Sequence, residues 1–212
     1  DMSTGRDRTF RRLFGGKVSP SIDNPLSIFY GYLTTPRRYS PRWYHEGMAV
    51  FVETWMSGGY GRVMGGYDEM VFRTKVRDGS HIYDMVGLES EGKAIDFQVG
   101  VNSYLYGTRF MSYMANSHGP EKLIEWVTRK PGSEPNFISQ FKLVYDENID
   151  DEWSRWIESE REFQQKNLQL LRQYPLTAHR PISKIALGSI SRVYHDTQTN
   201  QLIAGVRYPG KV

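Results

Sequence analysis

The sequence predicts a mainly α-helical domain that ends in a short β-strand tail. Between residues 24 and 175, apolar residues recur at the three- and four-residue spacing of an amphipathic helix. Prolines and glycines interrupt this pattern at intervals typical of helix ends. After residue 176 the apolar period falls to two, which is the period of a β-strand.

The helices can be placed in order from these boundary residues. Asn24 is a predicted N-cap with Pro25 at the first helical position, and Ser40 and Pro41 open the next helix in the same way. Paired glycines at 58 and 59 end that second helix, and a mobile loop is predicted over residues 58–66. Further helices are predicted over residues 67–77, 97–118, 120–127, 136–144 and 150–174.

The last of these helices carries two further expectations. Acidic residues suit the start of a helix because of its dipole, so Asp150 and Asp151 are predicted to cap it. Trp153 and Trp156 lie on its apolar side and are predicted to be buried in the core.

The chain divides into three parts. Residues 1–23 form a basic arm or insertion loop, residues 24–175 the helical domain, and residues 176–212 a linker followed by strands. Strands are predicted over 182–187, 190–196 and 201–208. The chain begins without an initiator methionine and ends inside a strand pattern, so we expect it to be part of a longer protein.

Composition excludes several classes of protein. With 39% hydrophobic and 24% charged residues, the 212-residue chain is not globally disordered. No apolar run approaches the ~20 residues of a membrane-spanning helix. A net charge of +3 is too weak to indicate nucleic acid, although a phosphate-binding role for the arm stays open. Without cysteine, any metal must be held by His, Asp or Glu.

The segment from residue 43 to 53 contains the candidate functional carboxylates. Glu46 and Glu53 stand seven positions apart on a largely apolar helix, so they share one face. Buried carboxylates need a cation, an arginine or a metal as partner. Gly47 costs about 1 kcal/mol in a helix interior, and close approach of another element would explain it. The residues alone therefore predict a tightly docked helix with carboxylates turned to a positive group.

The pattern Trp43-x-x-Glu46-Gly47-x-Ala49-x-x-x-Glu53 resembles the second signature of the gluzincin zinc peptidases, the clan of thermolysin. In that clan a His-Glu-x-x-His helix supplies two zinc ligands and the general base. The resemblance implies that Glu46 is the third zinc ligand and that Glu53 orients the ligands. It also implies the fold of the helical C-terminal subdomain of a thermolysin-like peptidase.

Two weaker matches follow. Tyr104-Leu105-Tyr106-Gly107 is similar to the Tyr-x-x-Gly segment on the next helix of related aminopeptidases. There the tyrosine stabilises the oxyanion, a role that falls on Tyr104, with Tyr106 as the alternative. The tail resembles the entry into a TolB-like β-propeller, and proteins that join the two domains favour an envelope location.

No His-Glu-x-x-His occurs in the chain, because Ala49 stands where the pattern begun by His45 needs its second histidine. We read His45 as structural and expect the histidine ligands upstream of Asp1, with residues 1–40 as an insertion. The resemblance then implies the C-terminal part of a zinc-dependent peptidase that acts on peptides or proteins, inactive as this chain alone. The alternative is a catalytically inactive scaffold that binds peptides or proteins, with Glu46 in an ion pair and Tyr104 in ordinary packing.

Overall fold

The computed structural model describes residues 21–34, 40–90, 99–128, 130, 132–184 and 189–207. Within these residues the chain forms eight α-helices and one two-stranded antiparallel sheet, which confirms a mainly helical fold with a β-strand tail. Residues 1–20 of the predicted basic arm lie outside the described residues. The helices are α1 (Pro25–Thr34), α2 (Arg42–Met56), α3 (Gly66–Arg77), α4 (Met85–Ser90), α5 (Val99–His118), α6 (Pro120–Val127), α7 (Phe137–Tyr145) and α8 (Ile149–Leu171).

Most helix ends follow the predicted boundary residues. Gly58 and Gly59 have φ of +68° and +95°, conformations that glycine adopts easily, and α2 ends just before them. The predicted cap of α8 is wrong. Asn148 caps this helix by accepting a hydrogen bond from the Asp150 backbone N–H at 2.9 Å, and Asp150 and Asp151 lie in its first turn.

A cluster of aromatic side chains forms the centre of the helical domain. The ring centroid of Trp153 on α8 lies 4.8 Å from that of Trp43 on α2 and 4.7 Å from that of Phe110 on α5. Trp156 packs against Trp153 at 4.8 Å, and the predicted burial of both α8 tryptophans is confirmed. Each aromatic pair contributes about 0.5–1.5 kcal/mol beyond its buried area. The cluster therefore fixes how α2, α5 and α8 pack together.

The helices α2 and α5 cross with their backbones in contact. A Cβ atom on Gly47 would lie 2.6 Å from the Cα of Gly107, and a Cβ on Gly107 would lie 2.9 Å from the Cα of Gly47. The second Cβ would also overlap the carbonyl oxygen of Trp43. Only a residue without a side chain fits at either position. The predicted close approach of another element at Gly47 is therefore confirmed, and that element is α5.

The described residues of the tail form a two-stranded hairpin. Strand β1 (Ser189–Asp196) pairs with β2 (Gln201–Arg207), with Tyr194 opposite Ile203 and His195 opposite Leu202. Of the predicted first strand, residues 182–184 are not in a strand, and residues 185–187 lie outside the described residues. Apolar side chains on both faces of the hairpin are exposed. None of the described helices is long and apolar enough to cross a membrane.

Candidate active site

The crossing of α2 and α5 brings together the two residues that the resemblance selects. Glu46 directly precedes Gly47 on α2, and Tyr104 lies one turn before Gly107 on α5. The Tyr104 hydroxyl lies close enough to the Glu46 carboxylate for hydrogen bonding to that carboxylate to raise the pKa of Tyr104. Because the two backbones touch at the glycines, neither helix can move away from the other without breaking this contact. The carboxylate and the phenol are therefore held together by the backbone packing beside them.

Two arginines flank this pair. The Arg42 side chain, one turn before Glu46 on α2, donates from Nε to Glu46 Oε1 at 3.2 Å, and it also lies beside Tyr104, where it lowers the pKa of the hydroxyl. The guanidinium carbons of Arg42 and Arg62 lie 6.0 Å and 5.6 Å from the centroid of the Tyr104 ring. Positive groups at this distance over an aromatic face are attracted by the ring quadrupole. The phenol thus sits between two cations and one carboxylate.

Arg62 is held in place by the glycine-rich loop between α2 and α3. Its Nε lies 3.0 Å from both carboxylate oxygens of Asp68, a residue that is only 2% exposed. Arg62 belongs to a 3-10 turn, Arg62–Met64, within the segment 58–66 that the sequence predicts to be a mobile loop. Gly61 packs against Thr54 of α2, and the Val63 N–H donates to the Thr54 hydroxyl at 3.3 Å. These contacts give the loop a defined place beside the site.

The environment of Tyr104 keeps its hydroxyl protonated. The hydrogen bond to Glu46 raises the pKa of Tyr104 above its ordinary value, and burial and the Glu46 charge act in the same direction, while Arg42 opposes them. A tyrosine with a raised pKa is neutral across the physiological range and can donate a hydrogen bond. This is the protonation state that stabilising an oxyanion would require.

Replacing Glu46 by glutamine is expected to lower the pKa of Tyr104, because the carboxylate is the main group that raises it. Carbon-13 NMR of labelled tyrosine ring carbons across the alkaline range measures the change directly. In the wild-type chain the raised pKa also means that the Tyr104 contribution to stability is complete below the pKa of an unfolded tyrosine. That contribution is lost as the pH rises through the folded value. An unchanged Tyr104 titration in Glu46→Gln would contradict the assigned hydrogen bond.

The other sequence-selected residues lie elsewhere. Glu53 is exposed, so water solvates its carboxylate and the expected positive partner is not needed there. His45 is half-buried, and its Nε2 lies 2.7 Å from the Ser40 hydroxyl. Tyr106, the alternative to Tyr104, is fully buried, and its hydroxyl accepts a hydrogen bond from the Tyr83 N–H at 3.2 Å. Of the two tyrosines, Tyr104 is therefore the one in contact with Glu46.

The residues fit one part of a zinc site. Glu46 offers a carboxylate that is 26% exposed and has hydrogen-bonding partners in Arg42 and Tyr104, and such partners are usual for carboxylates that ligate metals. A structural or catalytic zinc needs at least three protein ligands. Among the described residues no group of three His, Asp or Glu side chains could hold a metal. The chain would supply one ligand, and the other ligands would have to come from elsewhere.

Sequence reasoning missed the two arginines and Asp68. Arg42 could have been found, because a basic residue four positions before Glu46 on a helix faces it. Arg62 gave no such signal, because the loop conformation alone brings it to Tyr104, and Asp68 contributes only by pairing with Arg62. Comparisons of the chain with family models, curated proteins and solved structures gave no match.

Proposed function

We propose that this chain is the C-terminal part of a gluzincin-type zinc peptidase that hydrolyses peptide bonds, with Glu46 as a zinc ligand and Tyr104 as an oxyanion donor. One observation carries the proposal. The resemblance selects Glu46 and Tyr104 from two separate motifs 58 positions apart, and the fold places them side by side, close enough for the carboxylate to raise the pKa of the phenol. The glycine of each motif lies at the helix crossing that holds them together. Each motif alone is weak evidence for a peptidase. The proximity of Glu46 and Tyr104 in the fold gives one physical explanation for both motifs.

In this proposal the residues of the chain have distinct tasks. A zinc ion held by Glu46 and two histidines would polarise the scissile carbonyl and activate a water. Arg42 holds one oxygen of the Glu46 carboxylate and so fixes its orientation. Tyr104 donates its hydroxyl proton in a hydrogen bond to the carbonyl oxygen as negative charge develops there. In other enzymes such a donor contributes about 2.7–4 kcal/mol to the transition state.

The second candidate is a peptidase-like scaffold that binds peptides or proteins without cleaving them. The Arg42–Glu46 ion pair favours it, because this contact already satisfies Glu46 Oε1 with no metal. The reading frame upstream of Asp1 separates the two functions. An intact His-Glu-x-x-His there favours the peptidase, whereas a missing histidine or glutamate favours the scaffold.

In the protein with its upstream segment, Glu46→Ala is expected to abolish zinc retention and peptide hydrolysis. Losing one of three protein ligands leaves too few to hold the ion. Zinc is measured by atomic absorption after dialysis, and hydrolysis with a quenched fluorescent peptide library. Circular dichroism should show an unchanged helical fold, because Glu46 lies outside the aromatic core.

Two further variants separate the roles. Tyr104→Phe should keep its zinc but lose about 100- to 1000-fold in kcat, because only the oxyanion donor is removed. Glu158→Gln, an exposed glutamate of α8, should retain both zinc and activity. Full zinc occupancy in Glu46→Ala would overturn the ligand assignment. Peptide binding without hydrolysis in the wild-type protein would support the scaffold instead.

A further inference from the structure

A groove of about 320 Å³ lies between α5 and α8, lined by a different set of residues from the Glu46–Tyr104 pair. Its volume lies at the lower end of the range for small-molecule sites. The lining residues recur at helical spacing on both helices, so each helix presents one stripe to the groove. They are Arg109, Ser112, Tyr113, Asn116 and Ser117 of α5 with Trp156, Ser159, Glu160 and Phe163 of α8.

The floor of the groove is a fixed ion pair with no net charge. Arg109 donates three hydrogen bonds of 2.7–3.1 Å to the Glu160 carboxylate, whose side chain is 4% exposed. Gln164, fully buried, donates a fourth hydrogen bond to Glu160 at 2.8 Å. Because the charges neutralise each other, the floor offers an anion or a cation no unpaired charge of opposite sign. The remaining polar edges of these groups can still accept or donate hydrogen bonds.

Near Tyr113, the buried charged groups also pair with one another. The Tyr113 hydroxyl lies near the Glu152 carboxylate, and burial together with that negative charge raises the pKa of Tyr113. Glu152 is itself 2% exposed and is paired with His118 at 3.0 Å and with Arg155. One paired polar network thus includes Arg109 and Glu160 of the lining, and a second lies behind Tyr113.

The walls combine hydroxyl and amide groups with one exposed aromatic face. Ser112 uses its proton in a 2.8 Å hydrogen bond to the Thr108 carbonyl, so its oxygen faces a ligand as an acceptor. Asn116 and Ser159 are exposed at the rim. The ring of Phe163 is 44% exposed, and Arg109 lies 5.5 Å from its centroid. Aliphatic C–H groups of a ligand can pack on such a ring while its hydroxyls meet the polar wall.

We propose that the groove between α5 and α8 binds a small neutral polyhydroxylated ligand, a saccharide of one or two units. A compensated ion pair, several small hydroxyl and amide groups and an exposed aromatic ring match the alternating polar and C–H surfaces of a sugar. An apolar ligand would cover the hydroxyl and amide groups of the walls without giving them a hydrogen-bonding partner. A charged ligand would lose hydration without gaining an opposite charge.

The test uses proton–nitrogen NMR spectra of the 212-residue chain titrated with maltose and N,N′-diacetylchitobiose. We expect saturable shifts confined to the groove-lining segments of α5 and α8 and to the Trp156 indole, with millimolar or tighter dissociation constants for at least one disaccharide. Glucuronate and glucosamine test the charge argument and should bind more weakly than either neutral sugar that binds. The neutral peptide N-acetyl-trialanine amide should give no saturable shifts.

Matched variants locate the binding. Ser159→Phe fills the groove and should weaken binding about tenfold or more, whereas Glu158→Phe places the same ring one position away and should leave it unchanged. Phe163→Leu keeps apolar volume but removes the aromatic face, and should also weaken binding. The proposal is overturned if neither disaccharide gives saturable shifts, if Ser159→Phe binds as the wild type does, or if the peptide or a charged sugar binds best. Circular dichroism of each variant confirms that it is folded.

Discussion

Replacing Gly107 by alanine is expected to lower the free energy of unfolding by about 3 kcal/mol or more, at the upper end of overpacking effects. The added Cβ would overlap the Trp43 carbonyl oxygen and would lie 2.9 Å from the Cα of Gly47. Both neighbours are backbone atoms of α2, so no rotamer change relieves the overlap. Helices α2 and α5 must separate, and the aromatic cluster around Trp43 must loosen with them. Urea unfolding followed by tryptophan fluorescence measures the loss.

Gly66→Ala is the matched control for this substitution. Gly66 is also helical, at the first position of α3, but a Cβ there would meet nothing within 4 Å. Alanine has the higher helix propensity, so the control should be neutral or slightly stabilising. If Gly107→Ala were as stable as this control, the backbone contact between α2 and α5 would be wrong. The geometry that brings Tyr104 to Glu46 would then lose its support.

Replacing Arg109 by methionine is expected to cost about 3–5 kcal/mol, because it leaves the buried Glu160 carboxylate without its cation. Three of the hydrogen bonds to that carboxylate come from Arg109, and Gln164 cannot neutralise the charge. Arg77→Met is the matched control, because Arg77 pairs with Asp78 at an exposed site. Water solvates the remaining Asp78 carboxylate there, so the unfolding free energy should hardly change.

A second substitution tests the physical reason for this loss. In the double variant Arg109→Met with Glu160→Leu, no buried charge remains, and most of the stability should return. Chemical unfolding of both single variants and the double variant gives the coupling between the two residues. A double variant as unstable as Arg109→Met would show that packing, rather than the unpaired charge, accounts for the loss.

The helices could be predicted from the sequence because their signals are local. Asn24 and Pro25 predict the start of α1, and paired glycines predict the end of α2. Both predictions rest on backbone preferences that act within a few residues. Gly47 shows that a residue can also report a distant contact. A glycine inside a helix has a cost, so its presence indicated a close neighbour, although not which one.

The rest depends on the arrangement of whole elements. The local sequence around Arg62 does not predict that its guanidinium lies over Tyr104. That position depends on the turn after α2 and on the buried carboxylate of Asp68. The groove could not be predicted from local sequence either. The serines of α5 have the pattern of ordinary solvent-facing residues, and only the packing of α8 beside them forms the groove. Asn148 was missed because two acidic residues two and three positions later gave a stronger electrostatic signal than the cap itself.

The exposed hairpin has a consequence for how the chain opens. An isolated two-stranded sheet is only marginally stable in water, and apolar side chains of β1 and β2 are exposed on both faces. Its amide protons should therefore exchange with solvent through frequent local opening. Those of buried residues such as Leu105 and Phe110 on α5 should exchange only when the whole helical domain unfolds. We therefore expect the hairpin and the helical domain to open as separate cooperative units.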